Sequence, residues 1–382
     1  MSVYVSEGWC VVDQLKRFID VYVPVTTCTF RCHYCYVTHH RLFGGPLPKF
    51  TYTPEQFRWA LSQKRLGGIC MFNFCGGGET LLVPEVVDFV RALLDEGHYA
   101  MIVTNATVDA AFDRMEQWPR DVLERLFFKF SYHYLELKKH GLFDKFFHNI
   151  RRMRDAGASF TLEATPSDEL VPYIDEMKEQ SLREVGAWCH ITVPRSEQDM
   201  STIPLLSKQS PDEFYRTWRV FDSPFFEYKF SVFGTKQDGF CRAGDWSLVL
   251  NMGLETCSLQ QCYCSYYNQD IFANIDKPLV FKSIGHHCPM PHCFNAHAFL
   301  TFGAIAERND PTYDVMRNRV CADGSEWLQP RMKAFMSQRL RDQQTRPSRI
   351  SDFWIDCEMY LRSNRLVRGL LSPILRLARR SR

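Results

Sequence analysis

The chain has 382 residues, of which 45% are hydrophobic and 14% aromatic, and its formal net charge is +2. A chain of this length and composition can bury a full core, which excludes disorder, collagen and coiled-coil structure. The 15 cysteines are too sparse for a small disulfide-stapled domain, in which cysteine usually exceeds roughly 8–10% of residues, and their odd number argues against complete pairing.

The start of the chain predicts its compartment. Residues 1–16 contain no basic start followed by an apolar run, so we expect no secretory signal. No apolar stretch of about 18 residues is present that could span a bilayer. We therefore expect a cytoplasmic protein, and in that reducing compartment clustered cysteines indicate metal binding or catalysis more often than disulfides.

From Phe18 onward, short β-rich runs alternate with longer helical runs, which is typical of βα units around a parallel sheet. Six strands are predicted, at residues 18–25, 69–74, 99–103, 127–132, 159–163 and 188–193. Helices with capping signals are predicted between them, opening at residue 53 and spanning 84–96, 142–156 and 168–181. Six units in this length predict an α/β fold, a partial (β/α)6 TIM-like barrel, because a closed eight-fold barrel usually needs about 250 residues.

The pattern changes after residue 194. A polar loop is predicted at 195–210 and an aromatic strand at 225–233, and the segment 241–293 is rich in cysteine and poor in helical periodicity. We predict four regions, namely an N-terminal extension (1–16), a core barrel (17–225), an auxiliary metal-binding region (226–300) and a helical, basic C-terminal region (301–382).

Three cysteines follow the first strand in the segment CTFRCHYC, at Cys28, Cys32 and Cys35. Three thiolates this close in sequence can hold three irons of a [4Fe–4S] cluster and leave the fourth iron open to a ligand. The alternatives are a structural zinc loop, in which His33 could be a fourth ligand, and unligated core cysteines. The position after a parallel strand, where α/β barrels build their sites, favours the iron–sulfur interpretation.

A second motif, CGGGET, follows the second strand. Together with the C-x3-C-x2-C triplet and Tyr34 before its last cysteine, it resembles the motifs of the radical S-adenosylmethionine (SAM) superfamily. Gly77, Gly78 and Glu79 are in register with the Gly-Gly-Glu segment of that family. Glycines let the backbone close on a ligand, and a carboxylate can hold an ammonium group.

The resemblance implies an enzyme, its cofactors and a mechanism. In the family, the open iron of the [4Fe–4S] cluster chelates SAM, and one electron from the reduced cluster cleaves a carbon–sulfur bond of SAM. The resulting 5′-deoxyadenosyl radical abstracts a hydrogen atom from a substrate, while the barrel excludes water and other hydrogen donors. An electron donor such as flavodoxin or ferredoxin is implied as a partner.

Two later segments match the family less closely. Thr104 and Asn105 end the third strand where the family often has Thr-Asn-Gly, although Ala106 replaces the glycine. Ser131 ends the fourth strand and resembles the serine of the family's Ser-Leu-Asp-Gly segment, which commonly meets SAM. By this resemblance all three polar residues are candidate cofactor-binding residues.

Two further residues are candidate catalytic groups. His133 shares a strand face with Ser131, so an inward-facing His133 would be available for proton transfer or substrate binding, and the alternative is a surface histidine. Glu163 lies on the fifth strand. If it faces the barrel interior, it is a buried carboxylate that needs a partner such as the SAM hydroxyls or the substrate.

The second group of cysteines resembles the twitch and SPASM extensions of the radical SAM family, although its spacing departs from theirs. We predict a single auxiliary [4Fe–4S] cluster on Cys241, Cys257, Cys288 and Cys293, with Cys262 and Cys264 as alternates. The alternative is a zinc site that recruits a nearby histidine, namely His286, His287 or His292.

The C-terminal residues 361–382 contain seven arginines and no acidic residue. Such a segment could touch an anionic membrane, but we favour a helix packed on the barrel, and we expect no specific nucleic acid binding. For the substrate we favour a small-molecule, sugar or lipid-linked compound. A ribosomal-peptide maturase of the SPASM type is the alternative, and a non-catalytic iron–sulfur or zinc module for electron transfer is the alternative from another class.

Overall fold

The fold is built on one nine-stranded sheet. The computed structural model describes residues 13–199, 201–263, 265–344 and 349–364. The strands follow each other across the sheet in the order β6-β5-β4-β3-β2-β1-β7-β8-β9. Their bounds are β1 (Leu15–Val23), β2 (Ile69–Gly76), β3 (Tyr99–Thr104), β4 (Leu126–Ser131), β5 (Ser159–Ala164), β6 (His190–Ile191), β7 (Ser247–Met252), β8 (Cys257–Gln260) and β9 (Asn268–Asp270).

Helices connect the strands, and helices pack on both faces of the sheet. They are α1 (Tyr36–His39), α2 (Pro54–Ala60), α3 (Gln63–Leu66), α4 (Pro84–Asp95), α5 (Asp109–Met115), α6 (Arg120–Leu123), α7 (Tyr134–His140), α8 (Phe143–Ala156), α9 (Ile174–Val185), α10 (Pro211–Trp218), α11 (Pro224–Val232), α12 (Ala296–Phe299), α13 (Tyr313–Arg317), α14 (Pro330–Met336) and α15 (Arg349–Ser363). No helix among the described residues is long and apolar enough to cross a membrane.

The predicted parallel core is confirmed. Strands β1 to β6 are all parallel and adjacent in sequence order. The sheet stays open, as expected of a partial barrel. On the other side of β1, the parallel strand β7 and the antiparallel strands β8 and β9 extend it. The cysteine-rich segment therefore contributes strands to the same sheet.

The two faces of the sheet meet different surroundings, because successive side chains of a strand point to opposite faces. One face carries apolar residues such as Val21, Phe72 and Leu162, which pack against the covering helices. The other face is apolar at its lower end, where Phe18 and Met101 pack against the C-terminal region. Toward the carboxyl ends of the strands this second face becomes polar, and we refer to it as the inner face.

One predicted strand is wrong. Residues 225–233 form most of helix α11, which begins after Ser223, whose hydroxyl accepts a hydrogen bond from the backbone N–H of Phe226. Ser at the N-cap followed by Pro is a helix start signal, and it outweighs the β-propensity of the aromatic residues. The predicted helix at 168–181 begins as a 3-10 turn containing Pro172 and continues as α9.

Some predictions fall outside the described residues. These are Cys264, most of the N-terminal extension and the arginine-rich segment beyond residue 364.

Candidate active site

The three cysteines of the first motif open onto one cleft at the carboxyl ends of the strands. Cys28, Cys32 and Cys35 lie in the loop between β1 and α1, and Cys35 is the N-cap residue of α1. The cleft is also lined by residues from the ends of β2, β3 and β4, namely Gly77, Gly78, Glu79, Thr104, Asn105, Ser131 and His133. The structure thus brings together every predicted cofactor-binding residue except Tyr34, which lies beside the cleft in contact with His133.

The glycine run packs against the chain that leads into the cysteine loop. The backbone N–H of Gly78 donates to the carbonyl oxygen of Val25 at 2.6 Å, and a Cβ at Gly78 would lie closer than 3.0 Å to the carbonyl oxygen of Thr27. We expected the glycines to let the backbone close on a ligand. In the structure they let the loop after β2 close on residues 25–27, which fixes the position of Cys28.

Glu79 is a buried connector between β2 and β3. Its carboxylate accepts hydrogen bonds from the Thr104 hydroxyl at 2.6 Å, the Asn105 N–H at 2.7 Å and the Leu81 N–H at 3.1 Å. Burial raises the pKa of Glu79, while these donors lower it. The carboxylate that was expected to hold an ammonium group therefore already has three donors from the chain itself.

Asn105 continues this network to the cysteine loop. Its side-chain Nδ2 donates to Thr29 Oγ1 at 2.8 Å and lies 3.8 Å from Cys28 Sγ. Next to it, Ala106 has a φ of 55°, the left-handed conformation that glycine adopts most easily. Here an alanine occupies the position at which the family often has glycine.

His133 is a neutral group held by Tyr34. The Tyr34 hydroxyl lies 2.7 Å from His133 Nδ1. Burial lowers the pKa of His133 to about 4 and raises that of Tyr34 well above its ordinary value. At neutral pH the imidazole is uncharged, and the direction of its hydrogen bond with Tyr34 depends on which ring nitrogen carries the proton.

Glu163 faces the inner side of the sheet and has a partner. It forms an ion pair with Arg317 of α13, whose side chain is fully buried. Its predicted role as a carboxylate awaiting SAM or substrate is thus modified, because a residue of the C-terminal region binds it.

Residues 22–165 match the family model described as the radical SAM superfamily. The chain carries a radical SAM domain. That match runs from the last residues of β1 to the end of β5 and includes the whole cleft, and it agrees with the prediction of an enzyme. A comparison with the curated proteins gave no match.

Solved structures of two proteins with bound S-adenosylmethionine are among those similar to this chain. SuiB of Streptococcus suis bound to S-adenosylmethionine has 13% identity and a TM-score of 0.46, covering 69% of this chain and 65% of its own. The chain thus spans a little less than two thirds of SuiB. Native anSMEcpe with bound AdoMet has 12% identity and a TM-score of 0.45, covering 67% of this chain and 78% of its own.

Beyond the radical SAM domain, four cysteines line a second cavity, which is mostly apolar. They are Cys241, Cys262, Cys288 and Cys293. Among the described residues, no three metal-binding side chains converge on one point. A [4Fe–4S] cluster binds each cysteine through a different iron, so its ligands surround a volume and do not need to converge.

The structure does not bring all four predicted ligands of this second site together. Cys257 is fully buried on β8, in the core between the sheet and the helices, and its Sγ lies 3.1 Å from the Tyr52 hydroxyl. It does not line the cavity, whereas Cys262, predicted as an alternate, does. Of the histidines considered for zinc, His292 lines the cavity, whereas His286 bonds to Asp356 at 2.7 Å.

The charged residues of the inner face were not among the predicted site residues. Lys129 interrupts the apolar strand LFFKFS of β4 and is 9% exposed. This signal was visible in the sequence, since an inward lysine in a buried strand is costly without a partner. Asp20 of β1 was also missed. It accepts hydrogen bonds from Tyr263, Asn73 and Asn295 and so ties the cysteine-rich segment to the barrel.

Proposed function

We propose that this chain is a radical SAM enzyme that removes a hydrogen atom from a small-molecule, sugar or lipid-linked substrate. The observation that carries the proposal is that Cys28, Cys32 and Cys35 share one cleft with the glycine run, Asn105 and Ser131. These residues come from the carboxyl ends of four neighbouring parallel strands, the edge at which α/β barrels hold their ligands.

The residues of the cleft fit a [4Fe–4S] cluster and SAM. The three cysteines would hold three irons, and the cleft beside them is lined by Ser131 and by backbone from the glycine run, which are neutral hydrogen-bonding groups. When bound, the cluster and SAM together supply a 5′-deoxyadenosyl radical.

The chain's own residues orient and shield this cleft. Glu79 holds Thr104 and Asn105 in place, and Asn105 in turn contacts the cysteine loop. The hydrogen bond with Tyr34 fixes the orientation of the His133 imidazole, whose ring lines the cleft as a neutral group. Because the imidazole stays uncharged, we propose that it binds substrate or cofactor and does not act as an acid at neutral pH.

We further propose an auxiliary [4Fe–4S] cluster held by Cys241, Cys262, Cys288 and Cys293. The support is that these four thiols line one cavity whose remaining walls are mainly apolar, which is the environment of a buried cluster. A flavodoxin or ferredoxin would supply the electron. The regions 17–225, 226–300 and 301–382 remain our proposed division of the chain.

The test is SAM cleavage by the anaerobically reconstituted protein after reduction with dithionite. We expect 5′-deoxyadenosine from the wild type and none from Cys32→Ala. Cys321→Ala is the matched control, because Cys321 lies outside both cysteine cavities, against the carbonyl oxygen of Val185. If the wild type retains iron but forms no 5′-deoxyadenosine, the chain is an electron-transfer or metal-binding module and the proposal is wrong.

A further inference from the structure

Four basic side chains converge on the inner face of the sheet from distant parts of the chain. They are Lys129 of β4, Arg195 after β6, Lys229 of α11 and Arg317 of α13, and we call them the basic cluster. The positive charges of Arg195, Arg317 and Lys129 all act on Lys229, and the same four cations act on His297.

The ring of Phe225 shows how closely part of this cluster is packed. The guanidinium carbon of Arg317 lies 3.9 Å from the ring centroid, and the ammonium nitrogen of Lys229 lies 5.6 Å from it. The ring of His297 stands edge-on to the same ring at 5.4 Å. Two cations thus lie close to one aromatic ring, with a neutral histidine beside it.

The charges of the cluster are only partly balanced. Arg317 is paired with Glu163, and Arg195 lies 3.4 Å from Glu197. Among the described residues, no carboxylate oxygen lies within 4.0 Å of the ammonium nitrogen of Lys129 or Lys229. The Thr192 hydroxyl, at 2.5 Å, is a neutral acceptor for Lys229.

Unbalanced charge at a buried position destabilises the fold. Lys129 is almost buried, and Lys229 is half-buried in densely packed surroundings that lower its pKa well below the ordinary value. In addition, Nε and Nη2 of the fully buried Arg317 have no hydrogen-bond partner within the described part of the chain. Buried cations and donors without partners destabilise a fold unless a ligand supplies the missing acceptors.

The cluster lies directly below the candidate active site. Lys129 and Ser131 are on the same strand and the same face, so they are separated by about 7 Å along the strand. Ser131 lines the cleft and is the register partner of Glu163, which pairs with the cluster. The charges of Lys129 and Arg195 also act on the thiol of Cys75, which lies next to the glycine run.

We propose that Lys129 and Lys229, supported by Arg195, bind an anionic group of the substrate, a carboxylate or a phosphate. The inference rests on the proposed function, since the cleft above is where the hydrogen atom would be removed. An oxyanion placed here would neutralise the two lysines and anchor the substrate below the cleft, with the reacting carbon directed upward. Arg317 remains occupied by Glu163 and contributes positive potential and free donors.

The test is protection of these lysines from an amine-labelling reagent in the reconstituted holoenzyme, with the labelled peptides quantified by mass spectrometry. Inorganic phosphate and malonate are the probes, each compared with chloride at equal ionic strength. We expect one of the two probes to reduce labelling of Lys129 and Lys229 by about half or more once its concentration exceeds the dissociation constant. Exposed Lys64 of the same molecule is the internal control and should label equally in all conditions.

The probe that protects identifies the anion, phosphate for a phosphorylated substrate and malonate for a carboxylate. In Lys129→Met, protection of Lys229 should be lost. The inference is wrong if neither probe protects, if Lys64 is protected in parallel, or if SAM alone protects both lysines, because the cluster would then serve the cofactor. The same samples report 5′-deoxyadenosine, so a wild type that cleaves SAM but shows no anion protection contradicts this inference and leaves the proposed function intact.

Discussion

The hydroxyl of Tyr34 lies 2.7 Å from Nδ1 of His133, which joins a residue of the cysteine loop to the loop that follows β4. The aromatic residue before the last cysteine therefore has a specific structural task in this chain. It forms a hydrogen bond with Nδ1 of a buried imidazole and so fixes the orientation of the ring.

This contact predicts a measurable coupling between the two residues. Tyr34→Phe leaves His133 Nδ1 without its hydrogen-bond partner, which should cost about 1–3 kcal/mol of stability. His133→Leu removes the partner of the Tyr34 hydroxyl, and in the double variant the loss should be smaller than the sum by at least about 0.5 kcal/mol. Denaturant unfolding of the four proteins measures this coupling. Additive effects would show that the two side chains do not interact.

The pH dependence of stability should contain a component from His98. This fully buried histidine accepts from the Cys70 N–H and donates to the Leu61 carbonyl oxygen, and burial lowers its pKa to about 4. The unfolded chain binds a proton at the ordinary pKa of about 6.5, so this stabilisation is complete above pH 6.5 and is lost as the pH falls toward 4.

The loss at pH 5 should be about 2 kcal/mol relative to pH 7.5, because the unfolded state is then protonated at this residue and the folded state is not. His98→Gln can keep both hydrogen bonds without titrating. Unfolding of both proteins by urea at the two pH values gives the comparison. If the variant loses as much stability as the wild type between pH 7.5 and 5, His98 is not the source.

Much of the parallel core could be predicted from the sequence, because each strand is a short apolar run between turn residues and each following helix has its own caps. The helix at Pro224–Val232 could not, since its aromatic residues favour strands and only the Ser223 cap indicates otherwise. The cleft was predicted because its residues follow successive strands. The basic cluster was not, since Lys129 and Lys229 are 100 positions apart and meet only through tertiary packing.

The spacing of cysteines in the sequence likewise does not show which thiols tertiary packing brings together. The spacing favours Cys257 as a ligand and leaves Cys262 as an alternate, but the strand β8 turns the Cys257 thiol into the core, where it contacts Tyr52. The two residues therefore provide a matched pair. Cys262→Ala should lower the iron content from about eight to about four per chain, and Cys257→Ala should leave it unchanged while reducing stability by about 1–2 kcal/mol.

Iron and sulfide counts with Mössbauer spectra on both variants decide between the two cysteines. The Cys28/Cys32/Cys35 triple alanine variant is the reference for loss of the first cluster, and it should retain about four irons. Iron loss in Cys257→Ala with full iron in Cys262→Ala would restore the spacing-based ligand set. A wild type with about four irons that all disappear in the triple variant would remove the auxiliary cluster altogether.

The last prediction concerns the glycine run. Its close contact is with backbone atoms, so the contact cannot be relieved by moving a side chain. A Cβ at Gly78 would overlap the carbonyl group of Thr27, so Gly78→Ala must push the loop after β2 away from residues 25–27. We expect destabilisation by about 1–3 kcal/mol and loss of iron from the first cluster, since the displaced segment leads directly into Cys28. Gly45→Ala is the control, because its added methyl would meet only the Thr26 hydroxyl, at 3.2 Å, and should leave iron content and melting temperature nearly unchanged. Full iron and wild-type stability in Gly78→Ala would show that the close approach of these two loops does not hold the cysteine loop in place.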